Sequence, residues 1–228
     1  MTNVTFTGWG ACVPPSVLTN DDLSTIVETS DEWITSRSGI KERRISHVSN
    51  SDMATLAARR ALAAAGRTPD EIDYVLLATC TPDRQIPSAA CYVQTKIGAH
   101  RAAAADINAG CTGFLYGVSM AWGLIATGQA AKVLVIGSER ISSYLDLEER
   151  ATTVLFGDGA GAVVMEATTD DIGIRSLRLG ADCGGAEFIT ARGLGTEFVG
   201  TEARKAIFID GAEIFKGAVK KMWDGAVE

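Results

Sequence analysis

Asn108-Ala-Gly-Cys111-Thr-Gly-Phe114 decides how the chain is read. Residues 102–107 before it are mostly apolar and read as a buried strand. Residues 115–126 after it are apolar, with small side chains, and read as a helix. A cysteine at such a junction, between Gly110 and Gly113, is placed to react. Gly110 permits a sharp turn, and Gly113 lets a substrate approach closely. The free N–H groups and partial positive charge of a helix start favour thiolate over thiol. This is a nucleophile elbow with sulfur in place of the serine oxygen. On the local pattern alone, a buried cysteine acting as a small hydrophobe stands beside it as the alternative.

The 228 residues are 46% hydrophobic and 21% charged, an ordinary globular composition. A net charge of -7 argues against nonspecific nucleic-acid binding by the body of the protein. No apolar run is long enough to span a bilayer, and Met1-Thr-Asn-Val-Thr-Phe6 lacks the character of a signal peptide. Five cysteines occur: Cys12, Cys80, Cys91, Cys111 and Cys183. The number is odd and no pair has CxxC spacing, so neither a metal site nor a disulfide scaffold is expected. Free thiols fit a reducing cytosol.

Further strands are expected at residues 4–11, 74–79, 132–137 and 160–166, with the run at 74–79 buried on both faces. Helices are expected to open at Asn20-Asp21-Asp22, at Ser30, and at Ser51 or Asp52, the third stopped by Gly66. Residues 88–97 and 112–127 read as two more. Alternating strands and helices predict a mostly parallel sheet covered on both faces. Gly157-Asp-Gly-Ala-Gly-Ala162 lacks the lysine and spacing of a phosphate loop and reads as a tight turn with close strand packing.

Several segments, in order along nearly the whole chain, carry a resemblance. They are Thr29-Ser-Asp-Glu-Trp-Ile34, Arg37-Ser-Gly-Ile-Lys-Glu-Arg-Arg44, Ile86-Pro-Ser-Ala-Ala-Cys91 and Asp106-Ile-Asn-Ala-Gly-Cys-Thr-Gly-Phe114. Arg150 through Phe156-Gly-Asp-Gly-Ala-Gly-Ala162 and Gly211-Ala-Glu-Ile-Phe-Lys216 complete the set. Together they resemble the N-terminal part of the 3-oxoacyl-(acyl-carrier-protein) synthase III family of the thiolase superfamily. The resemblance implies an α/β fold, a thiolase-like five-layered α-β-α-β-α sandwich. Residues 1–170 would form the first thiolase-like half, complete here, and residues 171–228 the opening of the second.

The implied activity is that of an acyltransferase. Cys111 would be acylated from an acyl-CoA primer, and the acyl group extended by decarboxylative condensation with malonyl-acyl-carrier protein, initiating fatty-acid synthesis. The family's Cys-His-Asn triad places its histidine and asparagine in the second half, so the chain as given is expected to lack both. His47 and His100 match neither and are expected at the surface. Trp33 and Arg150 match the pair that sandwiches the adenine of CoA, and Thr29 and Arg37 match the same mouth. Ile86, Ile141, Phe156, Ile189, Ile207 and Ile209 match the acyl pocket, with Ile86 reaching across a homodimer interface. Isoleucine at 86 fits a somewhat longer or branched primer as well as a short one.

Lys216 and Lys220 are implied as carrier-protein contacts. With Arg37, Lys41, Arg43, Arg44 and Lys221 they would form a basic rim that steers an acidic partner. The resemblance implies no cofactor, since acyl-CoA enters as a substrate, no metal, no nucleic acid and no membrane. It also implies a cytoplasmic homodimer paired through the region 86–90 and the strand 102–107. Two other readings stay open: a priming acyltransferase of polyketide, quinolone-type or other secondary metabolism, and a non-catalytic half-protein that needs a partner chain.

Overall fold

The computed structural model describes residues 3–194, 196 and 206–227. Their contacts form two compact units, each assembled from separate stretches of chain. The first comprises the chain up to Ser16, Arg44–Arg140 and Asp158–Leu179. The second comprises Val17–Arg43, Ile141–Gly157 and the chain from Gly180. This partition differs in kind from the halves 1–170 and 171–228, which refer to the two similar halves that the resemblance implies.

The first unit is built on a five-stranded sheet: β1 (Asn3–Cys12), β4 (Tyr74–Ala78), β5 (Ala103–Ile107), β6 (Lys132–Arg140) and β7 (Asp158–Thr168). Its order is β1-β7-β6-β4-β5. Three helices cover it: α3 (Asn50–Ala65), α4 (Ala89–Ile97) and α5 (Gly113–Ala126). Strand alternation decides what lies beneath each helix. Val75, Leu77, Leu134 and Ile136 pack with Met53, Ala57 and Val93 of α3 and α4. Leu76, Val133 and Val135 pack on the other face with Val118, Ala121 and Ile125 of α5.

β4 pairs parallel with β5 and β6, whereas β6–β7 and β1–β7 are antiparallel. The expected mostly parallel sheet is therefore mixed. Apolar runs such as 132–137 suit a strand covered on both faces whichever way its neighbour points, so the pattern does not encode direction. The strand read at 102–107 as buried is the sheet's edge, with Ala103 and Ala105 exposed. Alanine is apolar enough to look interior and small enough to sit at an edge. β7 begins two residues before the expected strand, so that Gly159, read as part of a turn, lies inside it.

α3 is capped two to three residues earlier than expected. Ser49 is its N-cap, accepting from the Asp52 N–H while Asp52 returns the bond. Gly66, in the left-handed region at φ 65°, ends it. The alanine-rich face of α3 lies directly on β1. A Cβ at Gly10 would stand 2.4 Å from the Ala57 carbonyl oxygen and 2.5 Å from the Ala61 nitrogen.

In the second unit, α1 (Asn20–Ser24), with Thr19 rather than Asn20 as N-cap, precedes α2 (Asp31–Ser38), capped by Ser30 as expected. β2 (Ser16–Thr19) and β3 (Glu42–Ile45) form a two-stranded ribbon. Leu23 and Ile34 pack with Val154, beside α6 (Arg150–Thr153). β8 (Ile189–Ala191) and β9 (Ile207–Ile209) pair antiparallel before α7 (Gly211–Val227). Arg43 is buried here, not on a basic rim. It donates to the Leu18 carbonyl at 3.0 Å, the Asn20 Oδ1 at 2.8 Å and the Val154 carbonyl at 3.0 Å. Three fixed acceptors hold the guanidinium in place of water.

The glycine notch on β1 makes a stability prediction. Gly10→Ala forces a methyl into backbone that cannot swing aside. It is expected to destabilise the protein by about 1–3 kcal/mol, as overpacking generally does. A urea unfolding midpoint unchanged from the parent would contradict the close contact.

Candidate active site

β4 and β5 end side by side, with Ala78 opposite Ile107. The Thr79 N–H continues the ladder to the Ile107 carbonyl at 3.0 Å. Beyond these ends the chain departs toward α4 on one face and α5 on the other. Diverging connections open a crevice at the carboxyl ends of parallel strands, the usual place for a ligand in such sheets. Asn108–Cys111 lies there. Gly110 takes a positive φ of 56°, as expected, and a 3-10 turn, Gly110–Thr112, leads into α5. Cys111 is exposed, and no side chain caps α5. The Gly113 N–H is taken by the Gly110 carbonyl, and the partial positive charge of the helix start is directed toward the sulfur.

Beneath this turn sits a group that sequence reasoning missed. The Cys80 thiol donates to Asn108 Oδ1 at 3.3 Å. The Cys80 N–H donates to Glu139 Oε1 at 2.6 Å, and Thr79 and Thr81 hydroxyls donate to the other carboxylate oxygen. Burial pushes the Glu139 carboxyl up, partly offset by these hydrogen bonds. Burial, and then the charge of Glu139, push the Cys80 thiol up to about 11. Cys80 ends an apolar strand much as Cys111 does, which is the one signal that could have found it. Glu139 at the end of β6 carries none, because its role depends on where β4 stops.

The second unit gathers the residues matched to a CoA mouth. Trp33 is half-buried on α2. The Arg37 and Arg150 guanidinium carbons lie 4.5 Å and 4.6 Å from its ring centroid. Arg150 also donates to the Glu28 carbonyl at 3.1 Å, and Arg37 to the Trp33 carbonyl at 3.4 Å. A cleft of about 580 Å³ beside them is lined by Val27, Glu28, Trp33, Glu149 and Arg150. The Thr29 hydroxyl is buried with no hydrogen-bond partner.

The residues matched to an acyl pocket are spread over both units. Ile86, in the first, is 84% exposed. In the second, Ile141 and Phe156 are half-buried, Ile207 is buried, and Ile189 on β8 pairs with Ile209 on β9. Lys216 and Lys220 are exposed on α7, each tied to a carboxylate: Glu213 at 2.7 Å and Asp224 at 2.6 Å. His47 and His100 are exposed. Among the described residues, no group of three or more His, Cys, Asp and Glu side chains could hold a metal ion, and no helix is long and apolar enough to cross a membrane.

Two outcomes follow. Cys111 and Cys183 are both exposed. Iodoacetamide at about pH 8 is nevertheless expected to modify Cys111 first, because the partial positive charge of the helix start favours the anionic transition state. Cys12 is buried and its thiol raised by desolvation, so it lags together with Cys80. Peptide mapping over time checks the order, and Cys183 or Cys80 leading would contradict it. Glu139 makes a pH prediction. Its carboxyl is raised in the fold, so its contribution is fully present below the ordinary value of 4.5 and is lost as pH rises through the raised value. Glu139→Gln is expected to flatten the decline of stability across that window, measured by denaturant titration, and an unchanged slope would contradict it.

Known proteins resemble this chain along most of its length. A family model described as 3-Oxoacyl-[acyl-carrier-protein (ACP)] synthase III matches residues 105–183, which include the Cys111 turn. The Beta-ketoacyl-[acyl-carrier-protein] synthase III 2 of Vibrio vulnificus (strain YJ016) is 48% identical over 223 residues, 96% of this chain and 62% of that protein. The Beta-ketoacyl-[acyl-carrier-protein] synthase III of Roseiflexus castenholzii is 46% identical, over 95% of this chain and 68% of that protein. The crystal structure of 3-oxoacyl-[acyl-carrier-protein] synthase III from Aquifex aeolicus VF5 superposes with a TM-score of 0.86 at 44% identity. It covers 95% of this chain and 67% of that one. The chain thus spans about three fifths to two thirds of the length of these relatives. On its thiolase-like α/β fold and on these identities, the chain belongs to the 3-oxoacyl-(acyl-carrier-protein) synthase III family.

Proposed function

We propose that the protein is the condensing enzyme that starts fatty-acid synthesis, with Cys111 as its nucleophile. The observation that carries this is an exposed cysteine on a positive-φ turn, at the ends of two parallel strands and the start of an uncapped helix. The Cys111 sulfur attacks the thioester carbonyl of an acyl-CoA, a C–S bond forms, and CoA leaves as its thiolate. Backbone N–H groups at the helix start, that of Cys111 among them, stabilise the tetrahedral oxyanion. Malonyl-acyl-carrier protein then loses carbon dioxide, and the resulting carbanion attacks the acyl carbon and releases the Cys111 thiolate. The family name carried by the relatives favours this over priming in polyketide or other secondary metabolism, or a non-catalytic role.

Trp33 and Arg150 take the adenine of CoA between them, with Thr29 and Arg37 at the same mouth. Arg150 now lies against the Trp33 ring, so the base enters as the guanidinium gives way. Ile141, Phe156, Ile189, Ile207 and Ile209 line the acyl chain, with Ile86 reaching in across the homodimer interface. Lys216 and Lys220 meet the acidic carrier protein after exchanging their intrahelical partners. Residues 1–170 and 171–228 belong to successive halves of the duplicated fold. The protein works as a cytoplasmic homodimer and needs no cofactor beyond its substrates.

The test is condensation of an acyl-CoA with malonyl-acyl-carrier protein by the intact protein. Cys111→Ala abolishes product. Trp33→Ala removes a stack worth about 1–3 kcal/mol, so KM for acyl-CoA rises roughly five- to 150-fold while kcat changes less. Turnover that survives Cys111→Ala, or an unchanged KM in Trp33→Ala, would contradict these assignments.

A further inference from the structure

Cys80 is the one thiol that the proposed reaction leaves unused at its own crevice. Its sulfur points into the turn that carries Cys111. It donates to Asn108 Oδ1 at 3.3 Å, three residues before Cys111. Gly110, at φ 56°, turns the chain so that Cys111 follows directly. The two strands that deliver the cysteines pair up to Thr79 and Ile107, and paired strands run about 4.8 Å apart. The Cys111 thiol lies close enough to act electrostatically on Cys80. The other cysteines are engaged or placed elsewhere. Cys91 on α4 contacts the Ser88 hydroxyl at 3.2 Å, Cys12 is buried on β1, and Cys183 belongs to the other unit.

We propose that Cys80 is a resolving thiol for Cys111, and that the pair forms a reversible disulfide when a peroxide oxidises the protein. The inference rests on the reading of Cys111 as a reactive nucleophile. In the first step the Cys111 thiolate attacks hydrogen peroxide. An S–O bond forms, the O–O bond breaks, and hydroxide leaves, so the sulfur is oxidised to sulfenic acid and the peroxide is reduced. In the second step the Cys80 sulfur attacks the Cys111 sulfur. An S–S bond forms, the S–O bond breaks, and the departing hydroxide takes up the thiol proton as water.

Cys80 enters this step as a thiol, since its ionisation is pushed up to about 11. Glu139 accepts the Cys80 N–H at 2.6 Å, so its carboxylate lies beside the thiol, and burial raises its carboxyl. That makes Glu139 the base that takes the S–H proton as the S–S bond forms and passes it to the leaving hydroxide. A thiol held ready in this way stops the nucleophile from climbing to sulfinic acid, which most cells cannot reverse. The disulfide would silence condensation, and reductant would restore it.

The test oxidises the intact protein with hydrogen peroxide, digests it without reductant, and maps the cross-links. Trypsin separates Cys80, Cys91 and Cys111 into peptides 68–84, 85–96 and 102–132. The expected result is a 68–84/102–132 disulfide that forms as condensation is lost and disappears when dithiothreitol restores it. Cys80→Ser and Cys80→Ala are both expected to lose the cross-link, accumulate Cys111 sulfinate and stay inactive after reduction. Thermal unfolding of both confirms that they are folded. Glu139→Gln is expected to slow the cross-link without slowing dimedone capture of the sulfenic acid. Equal rates for both steps would overturn its assignment as the base. Sulfinate on Cys111 of the parent at the rate seen in Cys80→Ser overturns the inference. So does a disulfide of Cys111 with Cys91 or Cys183, or a Cys111 that peroxide leaves untouched. If turnover depends on Cys111 but no cross-link forms, the inference alone fails. If the cross-link forms but turnover survives Cys111→Ala, the inference stands and the proposed reaction fails.

Discussion

β4 and β5 run parallel and stop together, Ala78 opposite Ile107, and the setting of the reactive thiol depends on that shared end. Parallel strands that continue into helices on opposite faces leave their carboxyl ends uncovered between the two departures. Here the departures carry Cys80 and Cys111. Whatever tightens the β4–β5 register also steadies the start of both departing segments. Asp106, in β5, contributes to that register. Its carboxylate accepts from the Ala89 and Ala90 N–H groups at 2.7 Å each, tying the strand to the start of α4. Opposite charge at a helix N-terminus makes this a strong restraint for an edge strand.

The layer beneath the crevice is polar, which is unusual so close to an apolar core. Asn50 at the start of α3 donates to Thr79 Oγ1 and the Thr81 carbonyl at 2.8 Å each. Thr79 and Thr81 in turn donate to Glu139. The loop after β4 is thus held from two sides, by α3 below and by the end of β6 alongside. Buried networks of this kind are stabilising only when every member has a partner. The carboxyl of Glu139 is the member that retains chemistry, because burial leaves it more basic than an exposed glutamate. The same fixed loop presents Cys80 to the turn above.

Much of the fold was legible in the residues themselves. Ser30 caps α2, Gly66 ends α3, and Gly110 takes the positive φ that its place before Cys111 suggests. These depend on local chemistry, which a single sequence carries. Direction and position in the sheet do not. The strand at 160–166 gave no sign that it runs antiparallel, and the alanines of 103–105 gave no sign of an edge. Arg43 looked like one of a basic cluster, yet three acceptors distant in sequence bury it. Cys111 was legible because strand, glycine and helix are contiguous. Glu139 was not, because only the ends of neighbouring strands bring it to Cys80.

The central claim is that Cys111 carries the acyl group, and trapping the acyl-enzyme tests it most directly. The intact protein is incubated with an acyl-CoA and no malonyl-carrier protein, quenched in acid, and mapped by mass spectrometry. The account predicts a single acyl thioester on Cys111, in peptide 102–132, released by hydroxylamine and absent from Cys111→Ala. An acyl group on Cys80 or Cys183, or no stable acyl-enzyme on any cysteine while CoA is still released, would contradict it.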